Sequence, residues 1–424
     1  MKLTRFGDLF AEPLRNGVYK PKEFHGRGIK VINMKELFAN ERIDDQGTDR
    51  VHLDRRELER FLLVPGDLLF ARRSFVLEGA GKCALVGCPS EAVTFESSMI
   101  RARVDPTLAS PEFLYYLFAS PIGRAAMASI ATRTAVSGIT GAALQDLALP
   151  VPMLDAQLKI AAVLSAYDDL IENNRRRIEL LEQMAQAIYR EWFVHFRYPG
   201  HENDELVDSP LGQIPSGWEA APVGDSIETL GGGTPSKKQP SYWDPGTITW
   251  FTPTDLTRSR TMFVSASSQQ ISSEGLARSS AKLFPAGSIM MTSRATIGVV
   301  AISTQPACTN QGFITCIPNE RVGQNYLYQW VLDHVADFQR LATGATFKEI
   351  SRGVFRAYLF LKPSPSVTTA FETTVRPASA LIANLIRQDD LLRKTRDLLL
   401  PKLVTGEIDV SKLDLDGVLG KAGV

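Results

Sequence analysis

The residues of this chain that could do chemistry fall short of each arrangement that would let them do it. Gly79-Ala80-Gly81-Lys82 approaches a phosphate loop, but Val76 stands where that loop needs glycine and Cys83 where it needs a hydroxyl for magnesium. Gly231-Gly232-Gly233 lacks the strand, glycine and helix spacing of a dinucleotide fold. Glu78 and Lys82 lie close in loop text, with no proline-preceded cluster of Asp, Glu and Lys such as nucleases carry, and no Asn-Pro-Pro-aromatic tetrad for amino methylation occurs. His195 and His334 sit in aromatic or apolar helical text and read as packed side chains. The four cysteines, Cys83, Cys88, Cys308 and Cys316, fall in apolar strand-like text, and none of the five histidines is beside them in sequence. That pattern favours reduced thiols over a zinc site. The chain is therefore expected to hold no metal or cofactor and to catalyse nothing by itself.

What the sequence does specify is a scaffold. From Asp155 to Phe193 the positions Ile160, Leu164, Tyr167, Ile171, Asn174, Ile178, Leu181, Ala185, Ile188 and Trp192 alternate spacings of four and three, with Asn174 the one amide among them. This is a heptad seam. Neither proline nor glycine interrupts it, and Glu172, Arg175, Arg176, Arg177, Glu179, Glu182 and Arg190 take outward positions. The helix would be roughly 58 Å long and its narrow apolar stripe requires a partner helix.

The same chain supplies one. Sliding the seam so that Ile160 falls on Phe371 lands in turn on Val375, Ala378, Ile382, Leu385, Asp389, Leu392, Arg396, Leu399 and Leu403. Two similar halves can close on each other as a homodimer does, which predicts antiparallel helices with Asn174 facing Asp389 and Tyr167 facing Arg396. Pro377 should kink or restart the second helix.

Other blocks repeat in the same order. Pro65-Gly66-Asp67 and Phe284 to Gly287 each open an apolar strand, which runs into Arg72-Arg73-Ser74 in one half and Ser293-Arg294 in the other. The helices expected at Pro111 to Ser120 and Asn325 to Phe338 correspond, as do Ala131 to Val151 and Thr343 to Lys362. Arg15 to Lys30 reads as an irregular basic loop bearing Tyr19 and Phe24, and His201 to Trp218 as a surface connector. Beyond Gly406 a short strand or coil tail is expected.

Composition sets broad limits. A chain of 424 residues, 44% apolar and 22% charged, is an ordinary globular protein with room for several domains. No apolar run is long enough to span a bilayer and no export signal is apparent, so a cytoplasmic protein without membrane partners is expected. Net charge is zero, so any binding of nucleic acid must use local positive charge or a partner's.

Against that background the text resembles a known family. Trp192 to Phe196 followed by Leu206 to Trp218, the run Gly231 to Leu256, the segment Thr346 to Ile350 and the closing Leu400 to Ile408 resemble the specificity subunits of type I restriction-modification systems. The match covers essentially the whole chain. The resemblance implies an α/β (mixed) fold in which two tandem target recognition domains are separated by two long antiparallel coiled-coil helices, a pseudo-twofold internal repeat. Expected divisions are a first recognition domain over 1–152, a central spacer helix over 153–198, a linker and second domain over 199–363, and a C-terminal helix and tail over 364–424. It further implies that each domain reads one half of a bipartite, asymmetric double-stranded DNA site while the helices set the unread gap. Two methyltransferase subunits and two restriction subunits would be the partners, carrying S-adenosylmethionine, ATP and magnesium; this chain would be non-catalytic.

Modules reading one face of a duplex must sit about 34 to 36 Å apart, or a multiple of that, which a helical rod can fix. The residues expected to reach DNA are Lys20, Lys22, Arg27, Lys30, Arg72 and Arg73 in the first domain, and Lys237, Lys238, Tyr242, Arg258 and Arg294 in the second. An arginine at a strand end before a small residue suits bidentate contact with guanine. Arg175-Arg176-Arg177 reads as a solvated face. Two other readings stay open from residues alone: a fused restriction-methylation enzyme or unrecognised nuclease, and a coiled-coil adaptor with two protein-binding domains and no DNA readout.

Overall fold

A computed structural model describes residues 3–75, 79–132, 137–344 and 346–413. Glu78, which lies close to Lys82 in sequence, is outside them, as are Val76 and the tail beyond Leu413. The chain divides into two compact units, Met1–Ile171 with Leu391–Val424, and Glu172–Asp390.

The first unit is built on a five-stranded sheet of β1 (Phe10–Asn16), β2 (Arg42–Ile43), β3 (Leu68–Ala71), β4 (Cys83–Val86) and β5 (Met99–Val104), in the order β1-β5-β3-β4-β2. All pairs are antiparallel except the parallel β4 and β2. Gly66, at a φ of +88°, makes the turn into β3, where every side chain is buried. Behind the sheet the helix Pro111–Ala119 is capped by Ser110, with proline in its first turn where a missing amide hydrogen costs nothing. A smaller sheet pairs His25–Ile32 with Arg50–Val51 and Val93–Phe95.

The second unit repeats the plan of these sheets strand for strand and adds a hairpin of Leu206–Ser209 with Gly212–Pro215. Its sheet is formed by β6 (Glu228–Gly231), β7 (Phe263–Val264), β8 (Ile289–Thr292), β9 (Val300–Ser303) and β10 (Phe313–Ile317), in the order β6-β10-β8-β9-β7. Again only the last pair is parallel. The smaller sheet recurs as Ile248–Phe251 between Gln269–Ile271 and Cys308–Thr309. The edge pair Leu3–Arg5 with Ala148–Pro150 recurs as Glu219–Pro222 with Leu359–Lys362.

Two long helices, α1 (Leu154–Tyr189) and α2 (Pro365–Val404), each contribute one end to either unit. In the first unit Ile160 and Leu164 share a core with Leu400, Leu403, Val404, Phe6 and Phe113. In the second, Ala185, Tyr189 and Phe193 share a core with Phe371, Val375 and Ile382. Partner numbers fall along α2 as they rise along α1: Asp168 pairs with Arg396, Asn174 Nδ2 donates to Asp389 Oδ1 at 2.9 Å, and Phe193 packs on Phe371 with ring centroids 5.0 Å apart. Within each unit the helices therefore run antiparallel. Ile171 and Leu385 are buried, whereas Tyr167, Ile178, Leu181, Ile188, Trp192, Leu392 and Leu399 are half-buried. Arg396 does not go to Tyr167: its Nη1 bonds Asp168 at 2.5 Å and Glu41 at 3.0 Å, since a guanidinium gains more from carboxylates than from a phenol.

Several sequence expectations change. α2 runs through Pro377 without restarting. Pro377 and Thr373 are both exposed residues, and proline at 377 has no amide hydrogen to give the Thr373 carbonyl. Arg15 to Lys30 is not an irregular loop: Arg15 lies on β1, and Arg27 and Lys30 on the strand His25–Ile32. Gly26 and Gly28, at φ of +86° and +94°, are absorbed in a bulge where His25 and Ile29 both oppose Val51. The helix expected over Asn325 to Phe338 is two, Gln324–Asp333 and Val335–Leu341, broken at His334, whose imidazole Nδ1 takes up the Trp330 carbonyl at 2.8 Å. His334 is packed, stacking on Trp330, but His195 is exposed beyond the end of α1. Cys88 lies outside any strand and is exposed, while the other three thiols are buried strand residues.

Candidate nucleic-acid interface

The basic residues expected to reach DNA separate by whether a carboxylate already holds them. Lys20 Nζ lies 2.6 Å from Glu57 and over the Phe24 ring, and Lys30 Nζ lies 3.1 Å from Glu91, each side chain only 15% exposed. The first ties the segment before the strand His25–Ile32 to the helix Arg55–Phe61, the second ties that strand to the loop at Glu91, and both ammonium groups have little freedom left for phosphate. Lys22, Arg27 and Arg73 are exposed and Arg72 half-buried, and among the described residues none of the four has an ion pair. Arg72 and Arg73 follow β3 directly, and Arg73 and Ser74 pair with Ser137–Gly138. Lys82, from the loop that approaches a phosphate cradle, donates to the Phe38 carbonyl at 2.5 Å and serves the fold.

In the second unit Lys237, Lys238 and Arg258 are exposed and without ion pairs among the described residues, and Tyr242 is half-buried with its carbonyl accepting from Ser272 N–H at 2.9 Å. Arg294 follows β8 as Arg73 follows β3. It lines a cleft of about 300 Å³ together with Thr254, Thr257, Ala295, Asn310 and Gln311. One wall is the short helix Pro253–Ser259, which ends next to Arg258. Its start is locked by Asp255, which accepts from the Thr252 amide and hydroxyl and from Ser268 N–H. Burial alone would raise the Asp255 carboxyl, but those donors hold it below the usual carboxylate range.

The opposite wall brings amides. Gln311 Oε1 accepts from Thr234 Oγ1 at 2.6 Å and Asn310 Oδ1 from Gly312 N–H at 2.9 Å, so both amide nitrogens point their donors elsewhere. Hydroxyls, amides and an arginine on one cleft are the groups that distinguish base edges. Sequence reasoning did not single out Thr257, Asn310, Gln311 or Glu349 as site residues. The nearest signals were the runs Trp250 to Leu256 and Thr346 to Ile350, which carry family likeness but no spacing that would join them. Arg175 bonds Glu172 and Glu179, and Arg176 bonds Glu172, along one face of α1, an arrangement of ordinary i to i+3 and i+4 surface pairs. Among the described residues no group of three or more His, Cys, Asp or Glu could hold a metal, and no helix is long and apolar enough to cross a membrane.

The paired architecture has a counterpart among known proteins. The family model described as the type I restriction modification DNA specificity domain matches residues 22–183 and 215–364, one match in each half, and the chain belongs to that family. The MjaIX specificity subunit of a type I restriction enzyme from Methanocaldococcus jannaschii is 33% identical over 208 residues, 48% of this chain and 46% of that protein. The HindI specificity subunit from Haemophilus influenzae is 23% identical across 81% of this chain and 86% of its own length. Among solved structures, the S subunit of a type I restriction-modification system from M. genitalium superposes with a TM-score of 0.59, covering 95% of both chains at 14% identity, which shows a shared fold.

Proposed function

We propose that this chain is the DNA sequence-specificity subunit of a type I restriction-modification complex and that each unit reads one half of a bipartite, asymmetric site. The observation that carries the reading is the strand-for-strand repetition of one α/β plan within a chain of the DNA specificity family, each copy finished by half of the same helix pair. Because the two copies present different side chains at corresponding places, the two half-sites differ. Recognition work falls to 1–152 and 199–363, while 153–198 and 364–424 set the unread gap. At 36 residues α1 rises about 54 Å, enough to act as a ruler between modules one helical turn of DNA apart.

In this reading the exposed faces of the helices dock two methyltransferase subunits, and two restriction subunits complete the cytoplasmic assembly. Those partners carry S-adenosylmethionine, ATP and magnesium, and this chain contributes none of the bond-making groups. Lys22, Arg27, Arg72 and Arg73 in the first unit and Lys237, Lys238, Tyr242, Arg258 and Arg294 in the second contact DNA; Lys20 and Lys30 brace the first unit. The test is DNA binding by the chain assembled with its methyltransferase partner, across a salt series. Replacing Lys237 or Lys238 by Ala should weaken binding equally on all sequences and reduce the salt slope by about 1 each. Binding that does not respond to salt would instead support an adaptor that holds proteins.

A further inference from the structure

Arg294 and Glu349 are joined by more than their charges. The segment that carries Arg294 is gripped on both sides: Ser293 N–H donates to the Gly312 carbonyl at 2.8 Å, Ile350 N–H to the Ser293 carbonyl at 3.0 Å, and Ala295 N–H to the Lys348 carbonyl at 3.0 Å. Ala295 is held at a φ of +62°, a conformation that a residue with a Cβ adopts only when its surroundings impose it. Arg294 Nε and Nη2 then donate to the same oxygen of Glu349, at 2.9 and 2.6 Å. These bonds occupy the side edge of the guanidinium. The end edge, Nη1 with the second hydrogen of Nη2, has no partner among the described residues, and Arg294 lines the cleft together with Thr254, Thr257 and Gln311.

The side chains of this pair are 46% and 35% exposed, so the pair adds little to stability. What two bonds to one oxygen do supply is direction. A guanidinium fixed along its side edge presents two parallel donors at its end, the spacing that matches O6 and N7 of guanine in the major groove.

The first unit is built differently at the equivalent place. Arg73 opposes Gly138, and Thr132 opposes Gly138, as Arg294 and Thr343 oppose Glu349. Gly138 offers no carboxylate, and a Cβ there would come within 3.0 Å of the Arg72 carbonyl. Arg73 is left exposed without an ion pair among the described residues.

The geometry points to Arg294 as a base-reading residue aimed at a guanine in the half-site read by the second unit, with Glu349 as the positioning residue that holds it end-on, a device the first unit lacks. This inference rests on the proposed DNA-specificity reading and deepens it.

The experiment uses the chain co-expressed with its methyltransferase subunit. Methylated sites are mapped in wild type and in the Glu349→Ala, Glu349→Gln, Arg294→Lys and Arg73→Ala variants, and the purified complexes are then competed on duplexes changed one base pair at a time. Arg294→Lys should lose about 5- to 150-fold discrimination at one guanine of one half-site. Glu349→Ala should relax the same base pair at least about fivefold, with Glu349→Gln between it and wild type. In the Arg294 and Glu349 variants the other half-site and the gap should stay unchanged, which also shows that they fold, whereas Arg73→Ala should leave that guanine unaffected and alter only readout by the first unit. A Glu349→Ala motif identical to wild type, or a uniform loss across all base pairs, overturns the role of Glu349. A wild-type complex that yields no split motif overturns both this inference and the reading beneath it.

Discussion

The polar pair in the helical seam makes a prediction whose size follows from its geometry. Asn174 is 6% exposed and its Nδ2 donates to Asp389 Oδ1 at 2.9 Å, on a seam otherwise filled by Ile178, Leu181, Ile382 and Leu385. Asp389→Leu strands a buried amide donor, which costs about 1–3 kcal/mol. Asn174→Leu removes the donor from this bond. The double change should cost less than the sum of the two single changes, with a coupling of about 1.5–3 kcal/mol for a hydrogen bond to a charged acceptor. The assay is unusually selective: all five tryptophans, Trp192, Trp218, Trp243, Trp250 and Trp330, belong to the second unit, the unit that contains the pair. Urea unfolding followed by tryptophan fluorescence therefore reports on the right half of the molecule. If the two single changes add, with coupling below about 0.5 kcal/mol, Asn174 and Asp389 do not hold the register together.

Two further outcomes follow from burial and charge. Cys83, Cys308 and Cys316 are buried, which pushes Cys308 and Cys316 up to about 12 and Cys83 well above its ordinary value, whereas Cys88 is exposed. A maleimide at neutral pH should add one label by intact mass, at Cys88, and four only after unfolding; a second label on the native protein would contradict the placement of these thiols. Glu219 accepts from Lys362 and Arg321, each at 2.6 Å, and these cations hold its carboxyl at about 2 against an ordinary 4.5. Because the folded value is the lower one, its contribution is full above about 4.5 and is lost as pH falls toward about 2. The tryptophan-monitored stabilities of wild type and Glu219→Gln should converge through that window, and a constant difference would refute the assignment.

The scaffold is legible in the residue order because its signals are periodic. A four-three spacing survives whatever the rest of the chain does, so the long helices, their antiparallel sense and the Asn174 to Asp389 match all follow from the sequence alone. The repeat is legible for the same reason, through the strand-opening turns at Gly66 and Gly287 and the arginines that follow. Pairing between residues remote in sequence leaves no such trace. Lys20 and Lys30 look like free cations until Glu57 and Glu91 fold against them, and nothing near Arg294 announces Glu349. Local rules also yield to tertiary context: the glycines of the basic stretch are accommodated as a bulge in a strand, and Pro377 sits within a continuous helix on its exposed face.

The central claim is that two different readers in one chain recognise a single split site. Co-expression with the cognate methyltransferase subunit, followed by mapping of methylated bases across a genome, tests it most directly. One motif with two unlike half-sites and a gap of fixed length is expected. A methylating complex whose motif is continuous, or variable in spacing, would contradict the claim.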